Sequence, residues 1–389
     1  MKLPRYPILY FHSSADLYGS DQCLLRLLQY MDTEEFVPLV LLPENGPLLD
    51  HLRALGVETI VRPLRILHRT SSYSYWVRFM VGILPSVYYC YHLIRQRGIA
   101  LIHSNTSHVL DGGVAARLTG VPHVWHVREI HSTQPSAIRI LLSRFVLHHA
   151  TVCIAISEAT REALGAKLKE QAKVYTVYDG IEFSRFANAA TPETFYTEFA
   201  LDPSAPLIGM IGRIARWKGH HIFIRAAAEV HAVNPSARFI IVGDAVTADD
   251  IAFREELKTM VQRLHLQESV IFTGVRSDIP SLLRAFTLFV LPSVNPEPLG
   301  NVVLEAMAAA CPVIATAHGG PLETVLPGET GLLVPPADAT ALAEAILTLL
   351  ASPELAKNMG VAGQNRCEQY FSIEHYVKNI TAIYRSVLQ

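Results

Sequence analysis

Short apolar runs of strand length alternate with stretches of helical periodicity along the whole chain. Residues 8–12, 37–42, 56–61, 99–105, 122–129, 206–213, 237–244 and 287–292 read as buried strands, several ending in glycine or polar residues. Residues 21–28, 48–55, 220–230 and 371–388, and the stretches opening at 301 and 338, carry helical spacing. Strand, loop and helix in repeated succession predict an α/β chain with doubly wound parallel sheets. A chain of 389 residues is long enough for two such domains. The first strand is followed by no G-x-G-x-x-G, so the dinucleotide fingerprint is absent.

The most informative stretch runs from Ser293 to Ala308. An apolar run stops at Pro292, Pro296 and Pro298 keep the next residues out of a helix, and a pattern rich in Ala, Leu and Met begins at Asn301. A buried strand therefore feeds a loop, and the loop feeds a helix N-terminus. The first backbone N–H groups of a helix lack partners within it and sit at the positive end of its dipole, which suits an anion. Gly300 lets a phosphate approach the backbone closely. Glu297 in the loop and Glu305 on the second helical turn flank such a ligand, and carboxylates accept strongly from sugar hydroxyls. In residues 206–219 another strand end carries Arg213 and Lys218, a forked cation and a point charge five residues apart, suited to a pyrophosphate.

The E-x7-E pair with its Ser-x-x-x-Pro-Glu-Pro-Leu-Gly surroundings, together with Gly-Arg…Lys-Gly, resembles retaining GT-B glycosyltransferases of the GT4 type. The resemblance covers most of the chain and is strongest from about 206 to 340. It implies two Rossmann-like domains facing across a cleft: an acceptor domain over 1–183, a nucleotide-sugar donor domain over 184–372, and a C-terminal helix over 373–389 crossing back to the first. Residues 184–204 would form the connection. It implies transfer of a sugar from a nucleotide diphosphate sugar with retention of configuration, no cofactor and no metal. Arg213 and Lys218 would neutralise the diphosphate, Glu297 would hold the sugar, and Glu305 the ribose. Leu299, Gly300 and Asn301 would line the donor pocket, while Val275 and Arg276 would hold the base through the backbone. In the first half, Gly19, with Ser20 beside it, takes the place of the family's glycine loop that faces the donor's diphosphate and the acceptor, and Ser20 or Asp21 would cap the helix. His126 takes that of the strand-end histidine that contacts the sugar. Ser104, Asn105, Arg128 and Glu129 are acceptor-side candidates. At 179–182, Asp and Glu stand where the family has Asn and Asp. A GT-B-like sugar-nucleotide epimerase and a non-catalytic nucleotide-sugar-binding subunit are the alternative functions.

Composition narrows the partners. The net charge of -2 argues against a general nucleic-acid binder. Five dispersed cysteines without a C-x-x-C pair, and no signal-peptide layout at the N-terminus, fit a reduced, cytoplasmic protein. The charge is uneven: 18 Lys and Arg against 14 Asp and Glu over 1–180, and 15 against 21 over 181–389. From Thr59 to Leu110 there is no acidic residue, while Arg62, Arg65, Arg69, Arg78, Arg95 and Arg97 stand among Tyr73, Tyr75, Trp76, Phe79, Tyr88, Tyr89 and Tyr91. That composition fits peripheral contact of 59–110 with an anionic membrane, on the inner face of the plasma membrane. Arg78 and Pro85 break the run and argue against a spanning helix. A lipid-linked or surface-polysaccharide acceptor would suit such a location.

Overall fold

A computed structural model describes residues 5–67, 73–130, 136–165, 173–190 and 193–389. The chain divides into two compact units, Met1–Gly180 with Ile373–Gln389, and Ile181–Ser372.

In the first unit seven parallel strands lie in the order β3-β2-β1-β4-β5-β6-β7. They are β1 Tyr6–Phe11, β2 Phe36–Leu42, β3 Glu58–Val61, β4 Leu101–Ser104, β5 His123–Val127, β6 Val152–Ala155 and β7 Val174–Thr176. Strands of a parallel sheet are covered on both faces, hence their unbroken apolar runs. Leu9 and Phe11 pack on one face with Cys90, Leu93 and Ile94 of the helix Tyr73–Gln96. Ile8 and Tyr10 pack on the other with the helices Gly19–Tyr30, Pro47–Ala54 and Ile373–Leu388. The terminal helix joins this unit because its apolar face is buried there. Tyr376, Ile380 and Tyr384 go into the core at about 1.5–3 kcal/mol each.

The second unit has six parallel strands in the order β10-β9-β8-β11-β12-β13. They are β8 Leu207–Ile211, β9 Arg238–Val242, β10 Val270–Gly274, β11 Leu288–Leu291, β12 Val313–Thr316 and β13 Gly331–Val334. Ile208, Met210, Phe239 and Val290 form one core with Phe223, Ala226 and Val230 of the helix His220–Val233.

Three local expectations change. Residues 184–204 are not a bare connection: Phe186 and Phe195 are buried, and the helix Phe183–Ala187 packs on the helix Asn301–Ala308 of the second unit. The first helix begins at Gly19 with Tyr18 as its cap residue. Asp21 stands three positions on and accepts the Tyr18 N–H at 2.8 Å. Pro85 does not interrupt the helix Tyr73–Gln96, which runs through it for 24 residues.

Strand order reverses between β1 and β4 in one sheet and between β8 and β11 in the other. Loops leaving the carboxyl ends of those strands are where open α/β sheets bind ligands.

Candidate active site

In the second unit, three loops leaving β8, β11 and β12 are fastened together. After β8 come Gly212, Arg213 and a 3-10 turn over Arg216–Lys218, closed by Gly219 at a φ of 79°. A Cβ on Gly219 would run into the carbonyl oxygen of Pro292, so only glycine lets the first two loops meet there. The Val294 N–H donates to the Trp217 carbonyl at 2.8 Å. From the third loop, the Gly320 N–H donates to the Glu297 carbonyl at 2.8 Å, and the Thr316 hydroxyl to the Ser293 carbonyl at 2.9 Å.

This scaffold holds Glu297 in place. Lys218 Nζ lies 2.6 Å from its Oε1 and Ser293 Oγ 2.5 Å from the same oxygen. The side chains of Lys218 and Glu297 are 15% and 4% exposed. Glu297 is therefore a fixed carboxylate rather than a freely solvated one. It is a buried anion neutralised by a cation from a different loop, and removing either partner leaves the other poorly solvated. Trp217 places its ring 4.2 Å from the ammonium. Arg213 is looser: its guanidinium is 40% exposed and reaches Asp250 only at 3.8 Å. Gly300, at a φ of 83°, turns the chain into the helix Asn301–Ala308, and Glu305 lies half-buried on the second turn.

The remaining donor-side candidates differ in what they offer. Leu299 is buried, packed closely beneath Gly320. Val275 is exposed. The Arg276 side chain is committed to Glu198 at 2.8 Å and Asp278 at 2.8 Å, over the rings of Phe195 and Phe199. Those carboxylates raise its pKa, so any further contact falls to its backbone.

In the first unit the carboxyl ends of β1, β4, β5 and β7 carry a chain of buried polar groups. Asp21 accepts from the Ser14 hydroxyl and meets His12 Nε2 at 2.6 Å. The other ring nitrogen of His12 lies 3.1 Å from Asn105 Nδ2. The Asn105 carbonyl oxygen accepts from Arg128 Nε at 2.9 Å, and Arg128 Nη1 donates to both Asp179 oxygens at 2.7 and 2.8 Å. Arg128 Nη2 donates to the Tyr376 hydroxyl at 3.0 Å. Burial disfavours the charged guanidinium, but Asp179 outweighs it and keeps Arg128 charged. Ser104 is paired with His123 at 2.9 Å. Glu129 accepts from Ser107 Oγ at 2.7 Å and lies beside His108, which with these hydroxyls holds its pKa low against the effect of burial. Gly19 opens the first helix, and a Cβ there would touch nothing.

His126 lies within β5 rather than past its end, so Arg128 and Glu129 are the residues that follow the strand. Its ring is fully buried between His103 and Tyr376 and neither nitrogen has a hydrogen-bond partner. The Asn105–Arg128 and Arg128–Asp179 links are invisible in sequence because they join positions 23 and 51 apart. Ser293 stands only four residues before Glu297, a separation short enough for a sequence pattern to show.

These buried histidines set an acid limit on the first unit. Burial pushes the pKa of His123 down to about 4 and those of His103 and His126 well below 6.5. The unfolded chain binds protons on these rings below pH 6.5 while the folded chain does not. Their contribution is complete above pH 6.5 and declines as pH falls toward 4, by up to about 1.4 kcal/mol per group and pH unit. His108, raised by Glu129, acts in the opposite sense but is a single group. Urea midpoints should therefore fall steadily from pH 7 to pH 5. A His126→Phe variant should show a flatter fall, and a midpoint constant over that range would contradict the assignment.

Residues 193–366 match the profile described as glycosyl transferases group 1, and residues 19–180 that of a glycosyl transferase 4-like domain. The chain is 33% identical over 312 residues to alpha-maltose-1-phosphate synthase of Mycolicibacterium smegmatis, covering 74% of this chain and 79% of that one. It is 25% identical to the UDP-Gal:alpha-D-GlcNAc-diphosphoundecaprenol alpha-1,3-galactosyltransferase of Escherichia coli, over 78% of this chain and 77% of the other. Anabaena HepE, solved in complex with UDP-glucose, superposes with a TM-score of 0.84 at 26% identity, over 98% and 99% of the two chains. Two parallel Rossmann-like sheets, with a paired Lys218 and Glu297 at the switch point of the second, are thus the GT-B fold of a glycosyltransferase, and the chain belongs to the glycosyl transferases group 1 family.

Proposed function

We propose that this enzyme moves a hexose from a UDP-sugar to a lipid-linked or surface-glycan acceptor, with retention of configuration and without a bound metal. The observation that carries this reading is the buried Lys218–Glu297 pair, fixed by Ser293, at the carboxyl ends of β8 and β11. The UDP-glucose complex of HepE and the diphosphoundecaprenol-linked acceptor in the name of the Escherichia coli relative support the donor and acceptor classes.

A sugar leaving a nucleotide diphosphate develops negative charge on the departing phosphate. Arg213, with its half-exposed guanidinium, and Lys218 take up that charge together with the N-terminus of the helix Asn301–Ala308. These fixed positive groups do the work a divalent cation would otherwise do. Lys218 needs no reorganisation at that moment because Glu297 and Ser293 already hold it in place. The Glu297 carboxylate also accepts from sugar hydroxyls, and Glu305 from the ribose. Gly300 admits the phosphate to the backbone, while Val275 and Arg276 present main-chain groups to the base. The acceptor attacks from the face the phosphate leaves, so no side chain serves as a covalent nucleophile. Gly19, Ser104, Asn105 and Glu129 belong to the acceptor unit. His126, sealed inside β5, supports its packing and makes no sugar contact. All five cysteines are buried thiols, which suits work in the reducing cytoplasm.

A melting screen with UDP, GDP and ADP, with and without EDTA, tests the donor. At 100 times its dissociation constant a nucleotide adds about 2.7 kcal/mol. UDP is expected to raise the melting temperature equally with and without EDTA. A shift with GDP or ADP alone would replace the base, and loss of the UDP shift in EDTA would reject metal independence.

A further inference from the structure

We propose that the first unit docks on an anionic membrane surface through the outward faces of two helices, Tyr73–Gln96 and Ser136–His149. The proposal does not depend on the transferase reading. On the longer helix Val77, Met80, Val81, Leu84 and Tyr88 are exposed at spacings of three and four, which places them in a single stripe. Val81 is 72% and Leu84 76% exposed. The opposite side of the same helix is committed to the sheet through Cys90, Leu93 and Ile94. The stripe from Val77 to Tyr88 is about 16 Å long. On the second helix Ile138, Ile140 and Leu141, toward its start, are exposed, while Val146 and Leu147, toward its end, are buried. The helix Asp111–Thr119 packs against both and exposes Leu118. Exposed apolar residues on adjacent helices form a patch of the kind that marks an interaction surface.

Charge identifies the occupant. Arg78, Arg95, Arg117 and Arg144 are exposed on these same three helices. Between Thr59 and Ser157 the only acidic residues are Asp111 and Glu129. Asp111 is fully buried and accepts the Arg65 N–H, and Glu129 is taken by Ser107 and His108. A second copy of this chain would bring another basic face against the first, which like charge opposes. An anionic leaflet satisfies both features: the apolar stripe enters the acyl boundary while the arginines meet the headgroups. The segment Val77–Gln96 is long and apolar enough to cross a membrane, but a third of it is packed inside the unit. The folded unit therefore holds this helix along the surface rather than across it. The second helix lies outside the basic segment 59–110 that composition alone singles out.

Flotation of the full chain with vesicles tests this without any donor or acceptor. Binding is expected with phosphatidylcholine vesicles containing phosphatidylglycerol, absent with phosphatidylcholine alone, and weakened by salt. Arg78→Gln and Arg144→Gln should each reduce binding about fivefold. The double variant Val81→Asp with Leu84→Asp should abolish it with an unchanged melting temperature, since both positions are exposed. No binding to the anionic vesicles, equal binding to neutral ones, or a double variant that binds like the parent would overturn the proposal. So would a dimer that the double variant dissociates while the parent ignores vesicles, because that would assign the stripe to a second copy.

Discussion

Glu297→Gln should lower kcat for sugar transfer about 10²–10³-fold, the cost of removing one preorganised electrostatic contact from a transition state. Glutamine keeps the volume and still accepts from Ser293 and Lys218, whose contacts of 2.5 and 2.6 Å both fall on one oxygen. What it loses is the negative charge. Without it, Lys218 sits in a pocket only 15% open with no counter-charge, and sugar hydroxyls meet a weaker acceptor. The ammonium would then look for another anion, so UDP should bind at least as tightly as to the parent while turnover collapses. That split between binding and kcat separates a role in the transition state from one in general donor affinity. Glu297→Ala is a blunter test, because it also leaves a void beside the buried ammonium and should lower the melting temperature. Glu305→Gln offers the contrast. Glu305 is half-buried, and in the proposed role of ribose acceptor it would contribute equally to ground and transition states, so its loss should appear in KM. Parent-like turnover in Glu297→Gln would remove this residue from the chemistry.

Much of the second unit was legible in the sequence because its signals are local. The strand that stops at Pro292, the glycine that turns into the helix at Asn301, and the cations that follow β8 all lie within a few residues of the elements they define. Periodicity and turn chemistry reach that far. The Lys218–Glu297 contact was not legible, since 79 residues separate the partners and only the order of β8 beside β11 brings them together. The helix Phe183–Ala187 was missed for a related reason. Proline-bearing polar sequence looked like a connection, but two phenylalanines, Phe186 and Phe195, had a core to enter. In the first unit β5 runs on to Val127, so His126 lies inside the strand and not at its end. One residue's shift in where β5 ends turns a cleft-edge side chain into one wholly inside.

Arg128→Ala should destabilise the first unit by about 3–5 kcal/mol, the cost of leaving a buried carboxylate without its cation. Asp179 is 1% exposed and Arg128 4%, so water cannot replace the missing partner. The arginine also donates to Asn105 and to the hydroxyl of Tyr376 on the terminal helix, and these groups would lose a donor as well. For a unit of this size the melting temperature should fall by roughly 6–20 °C. Arg128→Lys should also be costly, because a single ammonium cannot span three partners that the planar fork reaches at once. If the pair is the cause, Arg128→Met combined with Asp179→Leu should recover much of the loss, since a buried ion pair exchanged whole for apolar volume is often nearly neutral. A double-mutant cycle measures this directly, and additive losses would show that the two residues act separately. The comparison also decides between packing and acceptor binding for Arg128. A double variant that regains stability but transfers no sugar would give the guanidinium a part in the reaction. One that regains both would make Arg128 a brace that ties the ends of β4, β5 and β7 to the terminal helix.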